Sequence, residues 1–249
     1  MAGVTLDGIP AASLARRWGV PRCEVAATLD STLDRAHALG SEGAPSGTVV
    51  LALEQTAGRG RDGRTWHSPP GGIWLALLLR PRATPLGIVA IRSGLVLADV
   101  VDELAGRPLA RLKWPNDVLV ADRKLAGILC EGRWQGDTPQ WLAVGLGVNV
   151  VNEIPAPVRT TAIALSEVVA RVRLLDVLDR LVPPLTRLGA AERLTEQECA
   201  AFAGRDWLRD RPLRGPVPGH ARGVRPDGAL LVEGDGEMTV VREGHVEVA

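Results

Sequence analysis

A short apolar strand runs into a glycine–arginine segment, and that segment runs into prolines. Residues 47–53 read Gly-Thr-Val-Val-Leu-Ala-Leu, a β-branched apolar run after a turn rich in Gly, Pro and Ser, which is the pattern of a buried strand. Beyond Gln55 come Gly58, Arg59, Gly60, Arg61, Asp62, Gly63 and Arg64, then Trp66 and Pro69-Pro70-Gly71-Gly72. Gly58, Gly60 and Gly63 formally spell Gly-x-Gly-x-x-Gly. A dinucleotide-binding loop must open a helix whose N-terminus holds the pyrophosphate, and the two prolines and two glycines forbid that helix. No Gly-Lys-Ser/Thr follows, so the Walker loop is excluded, and the remaining kinase signatures are missing. The segment reads as a flexible loop that folds over a ligand with Arg59, Arg61 and Arg64 around it. A solvated basic turn is the blander alternative. Glycine weighs against it, because it lets backbone N–H groups approach phosphate or carboxylate closely.

The rest of the chain predicts an α/β (α+β) protein with a small β-rich tail. Residues 1–28 hold one short helix, Ala11–Trp18, too little for a helix-turn-helix module. Ile73–Leu79 is a second buried strand, and 85–104 is a helix starting at Pro85 and ending before Gly106. Strands follow near 109–114, 118–121, 125–131 and 141–150, with turns at Asn116-Asp117 and Asp122-Arg123. Residues 168–188 are helical with a break at Pro183-Pro184, and 195–203 is a helix capped by Thr195, with Glu198 completing a capping box. After Gly204, short β runs and the turn signals Asp227-Gly228 and 234–236 suggest a small β-barrel. The expected division is 1–203 for a large α/β domain and 204–249 for the barrel.

Bulk properties exclude several classes. Basic and acidic residues balance at 29 each, so there is no electrostatic footprint for nucleic acid or an anionic membrane. Cys23, Cys130 and Cys199 are too few and too scattered for a disulfide framework or a zinc site. No stretch is apolar enough to span a membrane, and the N-terminus lacks a secretory pattern. A cytoplasmic protein is expected. His37, His67, His220 and His245 show no ligand spacing and are assigned no role.

Of the 29 basic residues only two are lysine, Lys113 and Lys124. A chain built on arginine keeps lysine where a compact ammonium on a flexible stem serves better than a flat guanidinium. Between them, Trp114-Pro115-Asn116-Asp117 makes a turn. Asp117 is placed to hold a divalent cation, to accept a proton, or simply to cap the turn with its own side chain, and spacing alone favours the cap. Gly127 in the following strand signals close approach of a backbone or ligand. Lys113 reads equally well as an outward-facing strand residue, and Cys130 as a small buried hydrophobe.

Taken together, these pieces resemble the biotin protein ligase family (biotin–carboxylase ligases, holocarboxylase synthetases). The resemblance is carried by Ser31-Thr32, by Gln55-Thr56-Ala57-Gly58-Arg59-Gly60-Arg61 with Gly63-Arg64 and Trp66, and by Lys113-Trp114-Pro115-Asn116-Asp117. Lys124-Leu125-Ala126-Gly127-Ile128-Leu129 and Gly145-Leu146-Gly147-Val148-Asn149 complete it. The order and spacing agree from about residue 28 to 150. The implied fold is a mixed β-sheet flanked by helices, related to class II aminoacyl-tRNA synthetases and lipoate ligases, with a small C-terminal SH3-like β-barrel.

The implied activity is ATP-dependent. Biotin's carboxylate attacks the α-phosphate of ATP, giving biotinoyl-5′-AMP and pyrophosphate, and a lysine of a biotin carboxyl carrier protein then takes the biotinoyl group. Two anions must meet, so arginines, a lysine and Mg²⁺ are needed to offset their repulsion. The resemblance places Ser31, Thr32, Leu33, Gln55, Gly58, Gly60, Gly127 and the backbone around Arg59 at biotin. It places Arg61 and Lys124 at the carboxylate and α-phosphate, and Arg59, Arg64, Trp66, Asn116 and Asn149 on the nucleotide side. Lys124, Arg61 and Asp117 are the expected catalytic residues, Asp117 serving the incoming amine or Mg²⁺. Leu33 stands where the family often has Asn, Asp62 where a basic or polar residue is frequent, and Gly72-Ile73-Trp74 replaces the usual Asn-Leu-Tyr. The resemblance implies a ligase without a DNA-binding role, a monomer or homodimer, partnered by the acyl-CoA carboxylase carrier subunit. A lipoate or octanoate ligase on the same fold, and a regulator that holds biotinoyl-AMP without transferring it, are the rival readings.

Overall fold

The structure is a computed structural model and describes residues 4–80, 85–188 and 191–249. In chain order, β1 (Thr5–Leu6) and β2 (Ile9–Pro10) form a short hairpin before α1 (Ala11–Trp18). Then come β3 (Cys23–Leu29), α2 (Thr32–Ser41), β4 (Thr48–Gln55), β5 (Ile73–Leu79) and α3 (Leu86–Ala105). Four more strands, β6 (Arg111–Lys113), β7 (Asp117–Val120), β8 (Arg123–Gln135) and β9 (Thr138–Val148), precede α4 (Leu174–Leu185) and α5 (Glu196–Arg205). The central sheet has the order β3-β4-β5-β9-β8-β7-β6. Only its first pair, β3 with β4, is parallel, because α2 supplies the crossover that parallel strands require.

The sheet is covered on both faces, and the strand alternation shows how. Ile73, Leu75, Leu77 and Leu79 of β5 point into the larger core with α3 and α4, while Ala76 and Leu78 point into a second cluster under α2. Period-two geometry makes this division automatic. On α2 the buried positions Leu33, Ala36, Leu39 and Gly40 form the matching stripe. Helix α3 buries most of its length, including Ile88, Ile91, Leu97 and Val101, at about 1.5–3 kcal/mol for each such side chain. It ends at Gly106, whose φ of 66° is the left-handed cap that glycine adopts at no steric cost.

Residues 204–249 add β10 (Pro212–Gly215), β11 (Gly219–Val224), β12 (Leu230–Gly234), β13 (Glu237–Val241) and β14 (Glu247–Val248). They form an antiparallel sheet in the order β13-β12-β11-β10-β14, the small β unit expected from sequence. The pairings join these strands without linking β13 to β14. Its apolar residues Leu213, Ala221, Leu230, Val232 and Val246 belong to the same core cluster as the main sheet. Trp114 Nε1 donates to Gly228 O at 2.9 Å across the junction.

Several elements differ from expectation. The stretch before residue 28 holds β1, β2 and most of β3 besides the expected helix. Strand β3 is an edge strand whose residues are all half-buried or exposed, so its sequence lacks a clear period. Helix α4 starts at Leu174 and runs through Pro183 and Pro184 instead of breaking there, since both prolines lie in its last turn. The short 3₁₀ turn Leu165–Glu167 stands apart from it. The capping box of α5 is present, with Thr195 Oγ1 accepting from Glu198 N at 3.1 Å and Thr195 N donating to Glu198 Oε2 at 2.8 Å.

Candidate active site

Three glycines make the floor. Gly127 on β8 lies opposite Gly147 on β9, and Leu129 opposite Gly145, all on the α2 side of the sheet. A Cβ on Gly147 would sit 2.3 Å from Trp66 Nε1, and one on Gly127 would sit 3.1 Å from the same ring. A Cβ on Gly145 would meet the Leu33 side chain at 2.9 Å. Trp66 and Leu33 therefore lie directly on the bare backbone of two strands. Above this floor is a cavity of about 520 Å³, within the range of small-molecule sites.

The glycine–arginine segment is the roof, and it is an ordered hairpin. Gly60 N donates to Arg64 O at 2.7 Å and Trp66 N to Gly58 O at 2.9 Å, with a 3₁₀ turn, Arg61–Gly63, at the tip. At that tip Asp62 sits at φ 56°, a left-handed conformation that aspartate tolerates better than most residues. Arg59 is clamped: it donates to Asp34 Oδ1 at 2.6 Å and to Glu131 Oε2 at 3.2 Å. Glu131 is itself held by His37 Nε2 at 3.0 Å, and Trp141 Nε1 donates to His37 Nδ1 at 3.0 Å. Indole N–H only donates, so His37 Nδ1 is bare and the imidazole proton points at Glu131. Hydrogen bonds from His37 and Arg59 hold the Glu131 carboxyl below the usual carboxylate range. Arg61, by contrast, donates to the Gly244 carbonyl at 3.2 Å.

At the centre, Lys124 Nζ lies 2.7 Å from Asp117 Oδ1 and 5.1 Å from the Trp66 ring centroid. Asp117 Oδ1 is buried and accepts no hydrogen bond, so the Lys124 ion pair is its partner. Trp66 Nε1 is a buried donor without an acceptor. Such an unpaired donor costs on the order of 1–3 kcal/mol until something pairs with it. Strand pairing sets Lys113 opposite Asp117. The Lys113 ammonium lies 5.3 Å from the Trp207 ring, and burial pushes its pKa below the ordinary lysine value.

The inner end is polar but largely self-satisfied. Gln55 Oε1 accepts from Thr32 N at 2.8 Å and Thr32 Oγ1 at 3.0 Å, while Gln55 Nε2 donates to Ser68 Oγ at 2.8 Å. Ser31 Oγ caps α2 by accepting from Leu33 N at 3.2 Å. What remains for a ligand is the second Gln55 N–H, the Ser31 O–H and the free lone pairs.

The fold gathers the expected residues. Ser31, Thr32, Leu33, Gln55, Arg59, Gly60 and Arg61 line the cavity, as do Arg64, Trp66, Asn116, Asp117, Lys124, Gly127 and Asn149. Gly58 does not line it. Its bare α-carbon faces Trp66 O, where a Cβ would come within 2.5 Å, so its place is in the hairpin crossing. Asn116 Nδ2 donates to Ile128 O at 2.7 Å and Asn149 Oδ1 accepts from Asn152 at 3.1 Å, so both are tied to the frame as well. The sequence reading missed the apolar wall of Ile154, Pro155, Val158 and Ala162, and also Trp207 and His245. The first is a loop without periodicity, and the other two come from distant segments with no motif around them. Burial pushes the Cys130 thiol up to about 12, in keeping with a packing role.

Among the described residues no three His, Cys, Asp or Glu side chains gather as a metal site. Mg²⁺ needs less than that, since it keeps waters and takes substrate phosphates with one or two carboxylates. The Asp117 carboxylate, on the cavity wall, has the oxygen chemistry for such a contact.

A mixed sheet roofed by a cationic hairpin, with a polar end and an apolar wall in one cavity, defines a domain built around a small-molecule site. Comparison with known proteins makes this specific. The chain belongs to the biotin/lipoate A/B protein ligase family, whose family model matches residues 25–149. It is 33% identical over 241 residues to the bifunctional ligase/repressor BirA of Bacillus subtilis, spanning 88% of this chain and 72% of that protein. It is 32% identical over 243 residues to the biotin--[acetyl-CoA-carboxylase] ligase of Mycobacterium tuberculosis, spanning 92% and 89%. Its fold superposes on the Aquifex aeolicus biotin protein ligase in complex with biotin and ATP, with a TM-score of 0.76 and 27% identity, covering 92% of this chain and 99% of that one. No helix among the described residues is long and apolar enough to cross a membrane.

Proposed function

We propose that this cavity joins biotin to AMP and passes the biotinoyl group to a lysine of a biotin carboxyl carrier protein. The carrying observation is that Lys124, Asp117 and Trp66 converge beneath the glycine–arginine hairpin, between a polar inner end and an apolar outer wall. The ureido head of biotin sits at Ser31, Thr32 and Gln55: the free Ser31 O–H and Gln55 N–H donate to its carbonyl, and free lone pairs and the Arg59 backbone take its N–H groups. Leu33, packed on Gly145, contributes apolar contact where the family often has an amide. The purine rests against the Ile154–Ala162 wall and Trp66, with Asn116 and Asn149 holding the frame.

The biotin carboxylate oxygen bonds to the α-phosphorus while the bond to the β-phosphate oxygen breaks, and pyrophosphate carries off the electron pair. Lys124 and Arg61 lie where charge builds on the oxygens, and preorganised donors there are worth about 2.7–4 kcal/mol apiece. Mg²⁺, held by Asp117, would add neutralising charge at the phosphates. The hairpin keeps water from the mixed anhydride. The neutral amine of the carrier lysine then bonds to the acyl carbon, the acyl C–O bond breaks with its electron pair leaving on AMP, and the surplus amine proton passes to solvent, so no enzyme nucleophile is needed.

Residues 1–203 form the catalytic domain in this reading and 204–249 a small β domain joined to it by a shared core. Three free cysteines fit a reducing cytoplasmic compartment. The test is biotin-dependent exchange of labelled pyrophosphate into ATP, followed by mass analysis of a carrier domain. Exchange supported by lipoate or octanoate in place of biotin overturns the substrate assignment. Exchange without labelling of the carrier overturns the transfer step.

A further inference from the structure

Two asparagines of the cavity wall are anchored by opposite ends. Asn116 gives its Nδ2 to Ile128 O at 2.7 Å, so its oxygen is the end left over. Asn149 is buried and posed the other way: its Oδ1 accepts from Asn152 Nδ2 at 3.1 Å. Among the described residues its Nδ2 has no hydrogen-bond partner, and its main chain is spent on the frame. Asn149 N donates to Leu125 O at 3.0 Å, and Asn149 O accepts from Leu165 N at 3.0 Å. The amide N–H pair is what this residue has left for a ligand.

The pose is imposed by Asn152, which lies outside the cavity lining and is only 4% exposed. Its Oδ1 accepts from Val150 N at 3.0 Å, and its Nδ2 also donates to Glu153 O at 3.3 Å. A peptide N–H only donates and a peptide oxygen only accepts. Turning Asn152 over would set donor against donor at one end and acceptor against acceptor at the other. With Asn152 fixed, its Nδ2 requires an oxygen from Asn149, and the Asn149 amine must face away. The backbone beneath is fixed as well. Val151 N donates to Gly71 O at 2.9 Å, and a Cβ on Gly71 would lie 3.0 Å from Asn152 N and Cα. A buried polar network satisfied throughout holds one arrangement.

We infer that Asn152 is a specificity-determining positioning residue: by locking the Asn149 amide it makes the cavity offer a donor, and no acceptor, at that point. This rests on the ligase reading, which sets the nucleotide beside Asn149, and adds what is read there. In an adenine the ring nitrogens carry the lone pairs, whereas the exocyclic amine donates. The locked amide therefore selects a purine by one of its ring nitrogens, and Asn152 acts on that choice without touching the base.

The probes are ATP and its 1-deaza, 3-deaza and 7-deaza analogues, each with one ring nitrogen replaced by C–H, titrated calorimetrically into the full chain. One analogue should bind the wild type about tenfold more weakly than ATP, the scale of one buried hydrogen bond. Equal binding of all three overturns the inference. Asn152→Asp, in alkaline buffer where the aspartate is ionised, keeps the acceptor for Val150 N but has no donor for Asn149. Asn149 then turns its amine inward and its oxygen to the cavity. ATP should bind this variant about tenfold more weakly and the analogue's penalty should shrink to about twofold or less, with biotin affinity unaltered. A general loosening of the fold would weaken ATP and the analogue alike, so a penalty of wild-type size in the variant overturns the lock. Should Asn152→Asp melt below the assay temperature, Asn152→Ala replaces it. Nothing then fixes the amide, and an undiminished penalty again overturns the lock. Analogue selectivity that depends on Asn152 in a chain with no biotin-dependent exchange would uphold the lock and sink the ligase reading instead.

Discussion

The two halves of the glycine–arginine hairpin carry the same residue type and are held in opposite ways. Arg59, at the start, is fixed by two carboxylates from α2 and β8, and one of these is braced by His37 and Trp141. Arg61, at the tip, is held by one carbonyl of the C-terminal unit, and Arg64 has no ion pair among the described residues. One half is an anchor. The other is a latch, its guanidinium groups left for a ligand. Charge alone does not tell an arginine's role; the partner that folding brings to it does.

The comparison can be broken at the point both halves serve. Lys124→Ala should reduce biotin-dependent pyrophosphate exchange by about a hundredfold to a thousandfold; near-wild-type exchange would remove Lys124 from the chemistry and leave the hairpin with nothing to cover. Arg61→Gly should release the latch while the anchor holds. Free adenylate would then escape about tenfold faster and label bystander lysines, which mass spectrometry of an added lysine-rich protein would detect; the absence of stray label refutes closure by Arg61. Glu131→Gln should loosen the anchor instead. The expected result is a severalfold rise in biotin KM and a loss of about 1 kcal/mol of stability, without stray labelling, and leakage equal to that of Arg61→Gly would erase the distinction between the halves.

The smallest effect is set by pH. The Glu131 carboxyl is held below its ordinary value of 4.5 by His37 and Arg59, so its contribution is complete above that value and fades as pH falls through its lowered folded-state pKa. Arg61 bonds to a carbonyl, which does not titrate there. Hydrogen exchange corrected for intrinsic rates should therefore rise at residues 58–60 in acid before it rises at residues 61–64. A uniform rise across the hairpin would contradict the assignment of anchor and latch.

Sequence reading located the cavity lining better than the frame around it. Strands β4 and β5 and helix α3 were legible because their apolar runs are long and bounded by turn residues. Strand β3 was not, since an edge strand that is half-buried throughout carries no alternation, and α2 was hidden behind a capping serine read as a ligand contact. Lys124, Asp117 and Trp66, which line one cavity, could be picked out because each sits in a dense motif. His245 could not be, since it reaches the cavity only when the β13–β14 turn is folded against a hairpin far away in the chain. Gly58 lies outside the cavity lining for a related reason: a glycine that lets two strands cross looks, in sequence, like one that admits a ligand.

Gly127, Gly145 and Gly147 already carry the smallest substituent chemistry offers, a hydrogen atom. Variation at these places can make the chamber shallower and never deeper. Any broadening of the acids this enzyme accepts has to come from above, through Leu33 or Trp66, which rest on that bare backbone. A search for variants with new acyl donors should spend its library on those two side chains and leave the three glycines untouched.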